Sequence, residues 1–396
     1  MPLTRTTAVG LVGGGAMGAG IAQVALAAGH RVYLHDQRDA ALQHAARAIR
    51  SGLEKWRDKG KLTAEEATAA ENRLHLTSEL AELAACGLVM EAIVEDLTQK
   101  QALLQALTPH LTDTCIVASN TSSLSIAALA SACRHPERFL GIHFFNPAPL
   151  MPLVEVVPAV QTQPGLADEV RSLMQAWNKV PVLAKDTPGF IVNRVARPFY
   201  GEALRLLEEG IADVPTIDWA MTELGGFRMG PFALMDFIGH DVNYRVTASV
   251  FEAFFYDPRY KPSFTQKRLF EAGYWGRKAG RGFYDYATDA TPPEPVRDQA
   301  LGQQILGRIV AMLINEAADA LFWQVATAED LELAMTQGVH YPRGLLAWAD
   351  AWGPAHVVAT LDALYHHYHE DRYRASPLLR RMAQEHQHFL AHVAHA

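Results

Sequence analysis

The stretch VGLVGGGAMGAGIAQ, residues 9–23, determines the fold of the N-terminal half. Its apolar start has the length of a buried strand, and a run of glycines follows before small helix-forming residues begin. The pattern Gly13-x-Gly15-x-x-Gly18 is typical of a strand that turns into a helix whose N-terminus holds a pyrophosphate. A second strand-like run closes at Asp36, 18 residues beyond Gly18, where an acid can bind a ribose. The stretch therefore predicts a Rossmann-type dinucleotide-binding unit.

The acidic residue after the second strand also indicates which dinucleotide binds. The Asp36 carboxylate can accept both ribose hydroxyls of NAD, whereas the 2′-phosphate of NADP would bring like charges together. Arg38 could pair with such a phosphate, or it could be a solvated loop charge, so NAD is favoured but NADP stays open. The residues expected to contact NAD here are Gly13, Gly15, Ala16, Met17, Gly18 and Asp36.

Beyond the second strand, the N-terminal half alternates short apolar runs with long stretches of helical period. The apolar runs are GLVMEA at 87–92, CIVA at 115–118 and FLGIHFF at 139–145. Strands that alternate with helices form parallel sheets with helices on both faces. Residues 1–185 are therefore predicted to form one α/β domain built on a doubly wound parallel sheet.

From residue 186 the strand-like runs disappear and amphipathic helical patterns dominate, which predicts an all-α second half. This half also repeats, because pairs of identical residues recur at a fixed offset of 114. The pairs include Arg194/Arg308, Glu202/Glu316, Gly230/Gly344, Asp236/Asp350 and Gly239/Gly353. We therefore expect a first helical copy at 186–286, a proline-rich linker at 287–299 and a second, degenerate copy at 300–396.

The composition argues against several classes of protein. Of the 396 residues, 49% are hydrophobic and 20% are charged, which suits large buried cores rather than extensive disorder. The net charge of -8, without a long lysine and arginine run, argues against nucleic-acid binding. Glycines and Gln23 interrupt the apolar stretch 8–28, so neither a membrane span nor a signal peptide is expected. Cys86, Cys115 and Cys133 form no CxxC motif, which favours reduced thiols and a cytoplasmic protein.

No metal site is expected from the histidine-rich C-terminus. His388 and His392 lie four residues apart on a predicted helix, but no cysteine or carboxylate cluster completes a set of ligands. We interpret them as side chains of a solvated terminal helix. The same interpretation covers His366, His367, His369, His386 and His395.

Five motifs taken together resemble those of the 3-hydroxyacyl-CoA dehydrogenases. They are VGLVGGGAMGAGIAQ at 9–23, EAIVED at 91–96, SNTSSLSI at 119–126, GIHFFNPAPLMPLVEVV at 141–157 and KDTPGFIVNR at 185–194. The helical half, with GPFALMDFIGHDV and GRKAGRGFYDY, is similar to that family as well. Its duplication resembles the longer bacterial members, including those of phenylacetate breakdown. The resemblance implies NAD-dependent oxidation of (S)-3-hydroxyacyl-CoA to 3-ketoacyl-CoA, as in fatty-acid β-oxidation or phenylacetate catabolism.

By this resemblance, four residues carry the chemistry. His143 is the general base that removes the 3-hydroxyl proton, and Glu155 is the carboxylate that fixes its tautomer. Ser122 and Asn193 hydrogen-bond the substrate oxygen and hold C3 toward the nicotinamide. Without the resemblance, His143 beside phenylalanines would suit a buried core histidine, and Ser122 would suit a turn or a helix cap.

The resemblance also assigns supporting positions around the reaction centre. Glu95 and Lys100 correspond to residues near the adenosine and the nicotinamide ribose of NAD. Asn120 flanks the pocket on the cofactor side and Asn146 on the substrate side, although each could be an ordinary loop amide. Lys59 corresponds to a lysine that contacts coenzyme A.

The second helical copy departs from the first at the catalytic amide, because the offset of 114 places Gly307 where the first copy has Asn193. The second copy is therefore expected to be structural. Single-copy relatives pair two subunits through this domain, so the chain could form an intramolecular pseudo-dimer or a homodimer. Two alternative functions stay open, namely a dehydrogenase of a 3-hydroxy substrate without CoA, and a non-catalytic NAD-binding protein on the same fold.

Overall fold

Two compact units make up the chain. The computed structural model describes residues 3–4, 6–291 and 293–390. The first unit spans Met1–Phe190 and the second spans Ile191–Ala396. Among the residues that the structure describes, every helix is too short or too polar to span a lipid bilayer.

The first unit is built on one mixed sheet of eight strands. They are β1 Val9–Val12, β2 Val32–His35, β3 Leu74–Thr77, β4 Leu88–Glu91, β5 Ile116–Ser119, β6 Phe139–Phe144, β7 Leu153–Pro158 and β8 Val180–Leu183. Their order across the sheet is β3-β2-β1-β4-β5-β6-β7-β8. Strands β1, β4 and β5 are buried along their whole length, as expected for a sheet covered on both faces. The predicted Rossmann-type fold is confirmed.

One pairing in this sheet differs from the predicted parallel arrangement. Strands β6 and β7 pair antiparallel, while every other neighbouring pair is parallel. The reason is the short connection between Phe144 and Leu153, because a parallel return needs a crossover of a dozen or so residues. The antiparallel register places His143 directly opposite Glu155.

Six helices pack around this sheet. They are α1 Ala16–Ala27, α2 Asp39–Asp58, α3 Ala64–Asn72, α4 Leu97–Leu107, α5 Ile126–Ala130 and α6 Leu166–Ala176. Helix α1 is buried for most of its length, and its small residues allow close approach, since a Cβ on Gly20 would lie 3.1 Å from Pro149. Helix α2 buries one stripe at helical spacing, formed by Leu42, Ala45, Ile49 and Leu53.

The second unit is helical, as predicted. Its helices are α7 Val192–Val195, α8 Arg197–Glu208, α9 Val214–Trp219, α10 Pro231–Ile238, α11 His240–Ala253, α12 Phe264–Glu271, α13 Gln299–Phe322, α14 Ala328–Leu333, α15 Leu345–Trp352, α16 Pro354–Tyr368 and α17 Pro377–Gln384. Helix α13 is 24 residues long and is buried on most sides, with α8, α15, α16 and α17 packed against it. Its apolar residues therefore form the centre of the unit.

Local geometry in the second unit recurs at the offset of 114. The Asp218 carboxylate accepts hydrogen bonds from the N–H groups of Phe232 and Ala233 at the start of α10. Glu332 binds the start of α15 in the same way, through the N–H groups of residues 346 and 347. The π-helical segments Ala220–Leu224 and Ala334–Gly338 are also related by this offset.

Two buried ion pairs in the second unit are reciprocal. Arg194 Nε donates to Glu316 over 2.7 Å, and Arg308 Nε donates to Glu202 over 2.9 Å. The offset of 114 converts each pair into the other with its partners exchanged. Such an exchange is what a self-complementary interface with two-fold symmetry produces.

Two further sequence features have outcomes in the structure. All three cysteines are free, and burial raises the pKa of each thiol to about 12. The prediction that His388 lies on a helix is wrong, because α17 ends at Gln384. His386 has a φ of 52°, a left-handed conformation that ends a helix. His392 and His395 lie outside the described residues.

Candidate active site

The glycine turn after β1 has a different physical requirement at each glycine. Gly13 has a φ of 114°, and a Cβ there would lie 2.7 Å from the Ala92 carbonyl oxygen. A Cβ on Gly18 would overlap the carbonyl oxygen of Gly13, so this glycine lets α1 begin close to the turn. Gly15 is the N-cap of α1 and has no neighbour within 4 Å of a Cβ position among the described residues. Gly15 therefore leaves room for an anion at the helix N-terminus, beside Ala16.

A cavity of about 570 Å³ lies beside this turn, at the carboxyl ends of β1, β2 and β4. Its lining includes Gly13, Gly15, Asp36, Arg38 and Ile93. Ligands of open α/β sheets bind at this edge, where the order of the strands reverses on either side of β1. The residues present therefore fit a dinucleotide, with the adenosine in the cavity and the pyrophosphate near the start of α1 at Met17.

Asp36 is held in place by the turn itself. Its carboxylate accepts hydrogen bonds from the N–H groups of Gly14 and Arg38, at 2.9 and 3.0 Å. Although burial opposes ionisation, these N–H groups and the Arg38 guanidinium hold the pKa of the Asp36 carboxyl below its usual value. Arg38 pairs with Asp36 at 3.4 Å, so its charge supports the carboxylate that favours NAD.

Ser122 belongs to a network of charged and hydroxyl side chains at the ends of β4 and β5. The Glu95 carboxylate accepts hydrogen bonds from the Ser122 N–H and hydroxyl, at 2.8 and 3.1 Å, and from the Thr121 hydroxyl. Lys100 lies 3.4 Å from Glu95. Although burial opposes ionisation, Lys100 and these donors lower the pKa of the Glu95 carboxyl.

Lys100 and Glu91 form the buried base of this network. Lys100 is 1% exposed, and its Nζ donates to Glu91 over 2.6 Å. Glu91 also accepts the Ser119 hydroxyl at 2.6 Å and the Ile93 N–H at 2.7 Å. The ammonium predicted to lie near the nicotinamide ribose is therefore bound to a glutamate that the sequence reasoning missed. The available signal was a glutamate at the end of a wholly apolar strand, followed by a lysine nine residues later.

His143 and Glu155 face each other across β6 and β7. His143 Nδ1 lies 2.7 Å from Glu155 Oε2, and the glutamate has no exposed surface. The imidazole also contacts the rings of Phe145 and Phe190, whose centroids lie 4.5 and 6.0 Å away. A carboxylate can only accept hydrogen bonds, so His143 Nδ1 carries the proton that it donates to Glu155. Nε2 is then the nitrogen that can accept a further proton.

The remaining predicted residues lie at several places. Asn120 Oδ1 accepts the Phe144 N–H at 2.8 Å and so connects the ends of β5 and β6. Asn146 is exposed just after β6, and Lys59 is exposed at the end of α2. Asn193 lies on α7 in the second unit.

Gly52 on α2, seven residues before Lys59, lies against α1. A Cβ on Gly52 would overlap the side chain of Gln23 on α1. The glycine therefore allows α1 and α2 to pack closely.

Models of two protein-family domains match the chain. The 3-hydroxyacyl-CoA dehydrogenase NAD binding domain matches residues 8–187. The 3-hydroxyacyl-CoA dehydrogenase C-terminal domain matches twice, at residues 189–286 and 305–390. Together they extend over most of the chain.

Individual relatives agree with these matches. The 3-hydroxyadipyl-CoA dehydrogenase of Escherichia coli K12 is 37% identical, over 95% of this chain and 97% of the relative. A probable 3-hydroxybutyryl-CoA dehydrogenase of Deinococcus radiodurans is 41% identical, over 70% of this chain and 99% of its own. The crystal structure of a 3-hydroxybutyryl-CoA dehydrogenase from Escherichia coli K12 superposes with a TM-score of 0.92 at 35% identity, over 97% of this chain and 99% of that one.

The glycine turn with its cavity fits NAD, and the buried histidine and glutamate fit proton abstraction. The matched domains and relatives cover the same residues. The chain therefore belongs to the 3-hydroxyacyl-CoA dehydrogenase family and is an NAD-dependent oxidoreductase.

Proposed function

We propose that the protein oxidises (S)-3-hydroxyacyl-CoA to 3-ketoacyl-CoA, with His143 as the general base. The observation that carries the proposal is the buried hydrogen bond of 2.7 Å between His143 Nδ1 and Glu155. It fixes the tautomer in which Nε2 can take the proton of the 3-hydroxyl group. Bound NAD would supply the acceptor for the hydride that leaves C3.

Glu155 has a second role once His143 is protonated. The proton that reaches Nε2 turns the imidazole into a cation, and the buried carboxylate lies in contact with it. Little water surrounds the pair, so the attraction between the two charges is stronger than at a surface. Glu155 therefore stabilises the state that follows proton transfer.

We assign Ser122 and Asn193 to orienting the substrate oxygen. The hydrogen bond of 3.1 Å from its hydroxyl to Glu95 holds the Ser122 side chain in place. The Asn193 amide can donate, and it therefore suits the carbonyl oxygen that forms as C3 is oxidised.

The other predicted site residues are assigned to NAD, to the acyl group of the substrate or to coenzyme A. We assign NAD contacts to the glycine turn with Asp36, and to Glu95, Lys100 and Asn120. Asn146 is assigned to the substrate, and the exposed ammonium of Lys59 to coenzyme A. The relatives are named for hydroxybutyryl and hydroxyadipyl thioesters, so we propose a 3-hydroxyacyl-CoA as the shared substrate class.

We further infer that residues 186–286 and 300–396 are two copies of one helical unit, joined by the linker 287–299. The reciprocal pairs of Arg194 with Glu316 and of Arg308 with Glu202 support this inference. Their exchange of partners supports a second copy that packs as a partner subunit would. The three free thiols fit a cytoplasmic location.

The proposal is tested by mixing the purified protein with NAD and (S)-3-hydroxybutyryl-CoA and following the absorbance of NADH. The expected result is NADH formation with this thioester and much less with the (R) enantiomer. Oxidation of free 3-hydroxybutyrate at equal efficiency would instead favour a substrate without CoA. Binding of NAD without any turnover would favour a non-catalytic protein.

A further inference from the structure

One buried arginine of the second unit has no acidic partner among the described residues. Arg197, the first residue of α8, is 7% exposed. Its Nη1 donates to the Thr247 hydroxyl over 3.1 Å, and its Nε has no hydrogen-bond partner in the part of the chain that the structure describes. The other buried arginines of this unit each donate to a glutamate, namely Arg194, Arg308 and Arg372. A buried cation needs an opposite charge, which the described side chains do not give to Arg197.

Two tyrosines complete the surroundings of this arginine. The Arg197 guanidinium carbon lies 4.9 Å from the ring centroid of Tyr200. Tyr341 lies close enough to interact electrostatically with both residues, and its buried hydroxyl has no hydrogen-bond partner among the described residues. Burial raises the pKa of both tyrosines, so their hydroxyls remain protonated donors. We call Arg197, Tyr200, Thr247 and Tyr341 the Arg197 cluster.

The position of the Arg197 cluster along the chain relates it to the substrate. Arg197 follows Asn193 by four residues, and Ala196 between α7 and α8 keeps right-handed helical angles. Four helical residues advance by about 6 Å, and residues with this spacing share a face of the helix. An acyl chain whose C3 oxygen is held by Asn193 could therefore extend along α8 toward Arg197. A chain that continues a few carbons beyond C3 has a length of the same order as this helical turn.

We propose that the Arg197 cluster binds a carboxylate at the far end of the acyl chain, so that the preferred substrate is a dicarboxylic 3-hydroxyacyl-CoA. This assignment rests on the proposed function. The planar guanidinium can donate two parallel hydrogen bonds to the two oxygens of a carboxylate, and Tyr341 can donate a further one. A carboxylate would also supply a negative charge, which no side chain in the described part of the chain gives to the buried Arg197.

The same physics gives selectivity against ordinary fatty acyl chains. A chain that ends in a methyl group offers no acceptor to Arg197 or to the Tyr341 hydroxyl. Its binding would leave these buried donors unpaired, and a site built around polar partners discriminates strongly against an analogue that lacks them. The arginine therefore acts as a residue that determines specificity.

The test compares kcat/KM of the full-length protein for two CoA thioesters of equal acyl chain length. 3-Hydroxyadipyl-CoA ends in a carboxylate and 3-hydroxyhexanoyl-CoA ends in a methyl group. The wild-type protein should prefer the adipyl thioester, and Arg197→Met should lower the adipyl-to-hexanoyl ratio by about 100-fold. The matched control is Arg268→Met, because this α12 side chain is 73% exposed, and it should leave the ratio unchanged.

A second variant keeps the test decisive if Arg197→Met does not fold. Tyr341→Phe removes only a hydroxyl and should lower the same ratio by about threefold to tenfold. A wild-type preference for the hexanoyl thioester, or variants that affect both thioesters equally, would overturn the assignment of the Arg197 cluster alone. If neither thioester yields NADH, the proposed function is wrong and the assignment is wrong with it.

Discussion

At the scale of single residues, the central feature is the hydrogen bond from His143 Nδ1 to Glu155, which fixes the tautomer of the histidine. Glu155→Gln keeps the size of the side chain but removes the charge that stabilises a protonated imidazole. We expect kcat with 3-hydroxybutyryl-CoA to fall by about 100-fold or more, while the Kd of NAD changes little. Steady-state kinetics and NAD titration measure the two quantities. An unchanged kcat would show that the carboxylate does not assist the histidine.

A second residue-scale prediction concerns pH and stability. Burial raises the pKa of Asp218 to about 6, although the N–H groups of Phe232 and Ala233 and the Tyr284 hydroxyl oppose the shift. The folded protein therefore binds this proton more tightly than the unfolded chain does. The stability gained from this proton is present below pH 3.8 and is lost as the pH rises toward about 6.

The corresponding measurement is the free energy of unfolding of the wild-type protein and of Asp218→Asn as a function of pH. Relative to the variant, the free energy of unfolding of the wild-type protein should fall by about 3 kcal/mol as the pH rises from 3.8 to about 6. Denaturant titrations at several pH values give the difference directly. Parallel curves for the two proteins would contradict the raised pKa.

The role of a residue could be predicted from the sequence where the residue belongs to a recognisable motif. It could not be predicted where the role depends on whether the side chain is buried. The pairing of His143 with Glu155 follows from a resemblance over several motifs, and the structure shows the contact. The ion pair of Glu91 with Lys100 was missed, because nothing in a linear sequence shows that a charged side chain is enclosed. That no acidic side chain among the described residues pairs with Arg197 is equally a property of packing.

At the scale of elements, the turn between β1 and α1 distinguishes two kinds of glycine. Gly15→Ala should fold normally, because no described atom lies within 4 Å of the new methyl group, but the methyl would occupy the approach of the pyrophosphate. We expect the Kd of NAD to rise by about tenfold or more with little change in Tm. Equal NAD affinity in Gly15→Ala and the wild-type protein would remove the pyrophosphate from this turn.

Gly18→Ala is the matched comparison for this prediction. Its methyl group would overlap the Gly13 carbonyl oxygen, so the turn itself must move. This variant should lose both NAD affinity and thermal stability, in contrast to Gly15→Ala. Calorimetry beside NAD titration separates the two effects.

The order of elements was more predictable than their pairing. The alternation of apolar runs and helical periods predicted the sheet and its first helices. The antiparallel pairing of β6 with β7 was not predicted, because it depends on a short connection between Phe144 and Leu153 rather than on either strand. Likewise, the end of α17 depends on a single left-handed residue, His386.

At the scale of the whole molecule, the two helical copies should depend on each other. Removing residues 300–396 would expose the surfaces of α8 that pack on α13 and would leave the buried Arg194 and Glu202 without their partners. We expect aggregation or new dimerisation of the shortened protein, since uncovered apolar surface and unpaired buried charges are both unfavourable. Size-exclusion chromatography with light scattering measures the oligomeric state of the shortened protein. A stable monomer would contradict the pseudo-dimer.

The repeat in the second half shows what identical residues at a fixed spacing can predict and what they cannot. Identical residues such as Arg194 and Arg308 revealed the offset, whereas the exchange of their glutamate partners is a three-dimensional property. Asp218 and Glu332 have the same hydrogen-bonding role but differ in residue type, so a comparison of identities did not pair them.

The most direct test of the account is the rate of NADH formation from NAD and (S)-3-hydroxybutyryl-CoA by the wild-type protein, His143→Ala and the exposed control His44→Ala. The account predicts rapid turnover by the wild-type protein and the control. It predicts a fall of about 100-fold to 10,000-fold for His143→Ala with nearly unchanged NAD affinity. Turnover by His143→Ala at the wild-type rate would contradict it.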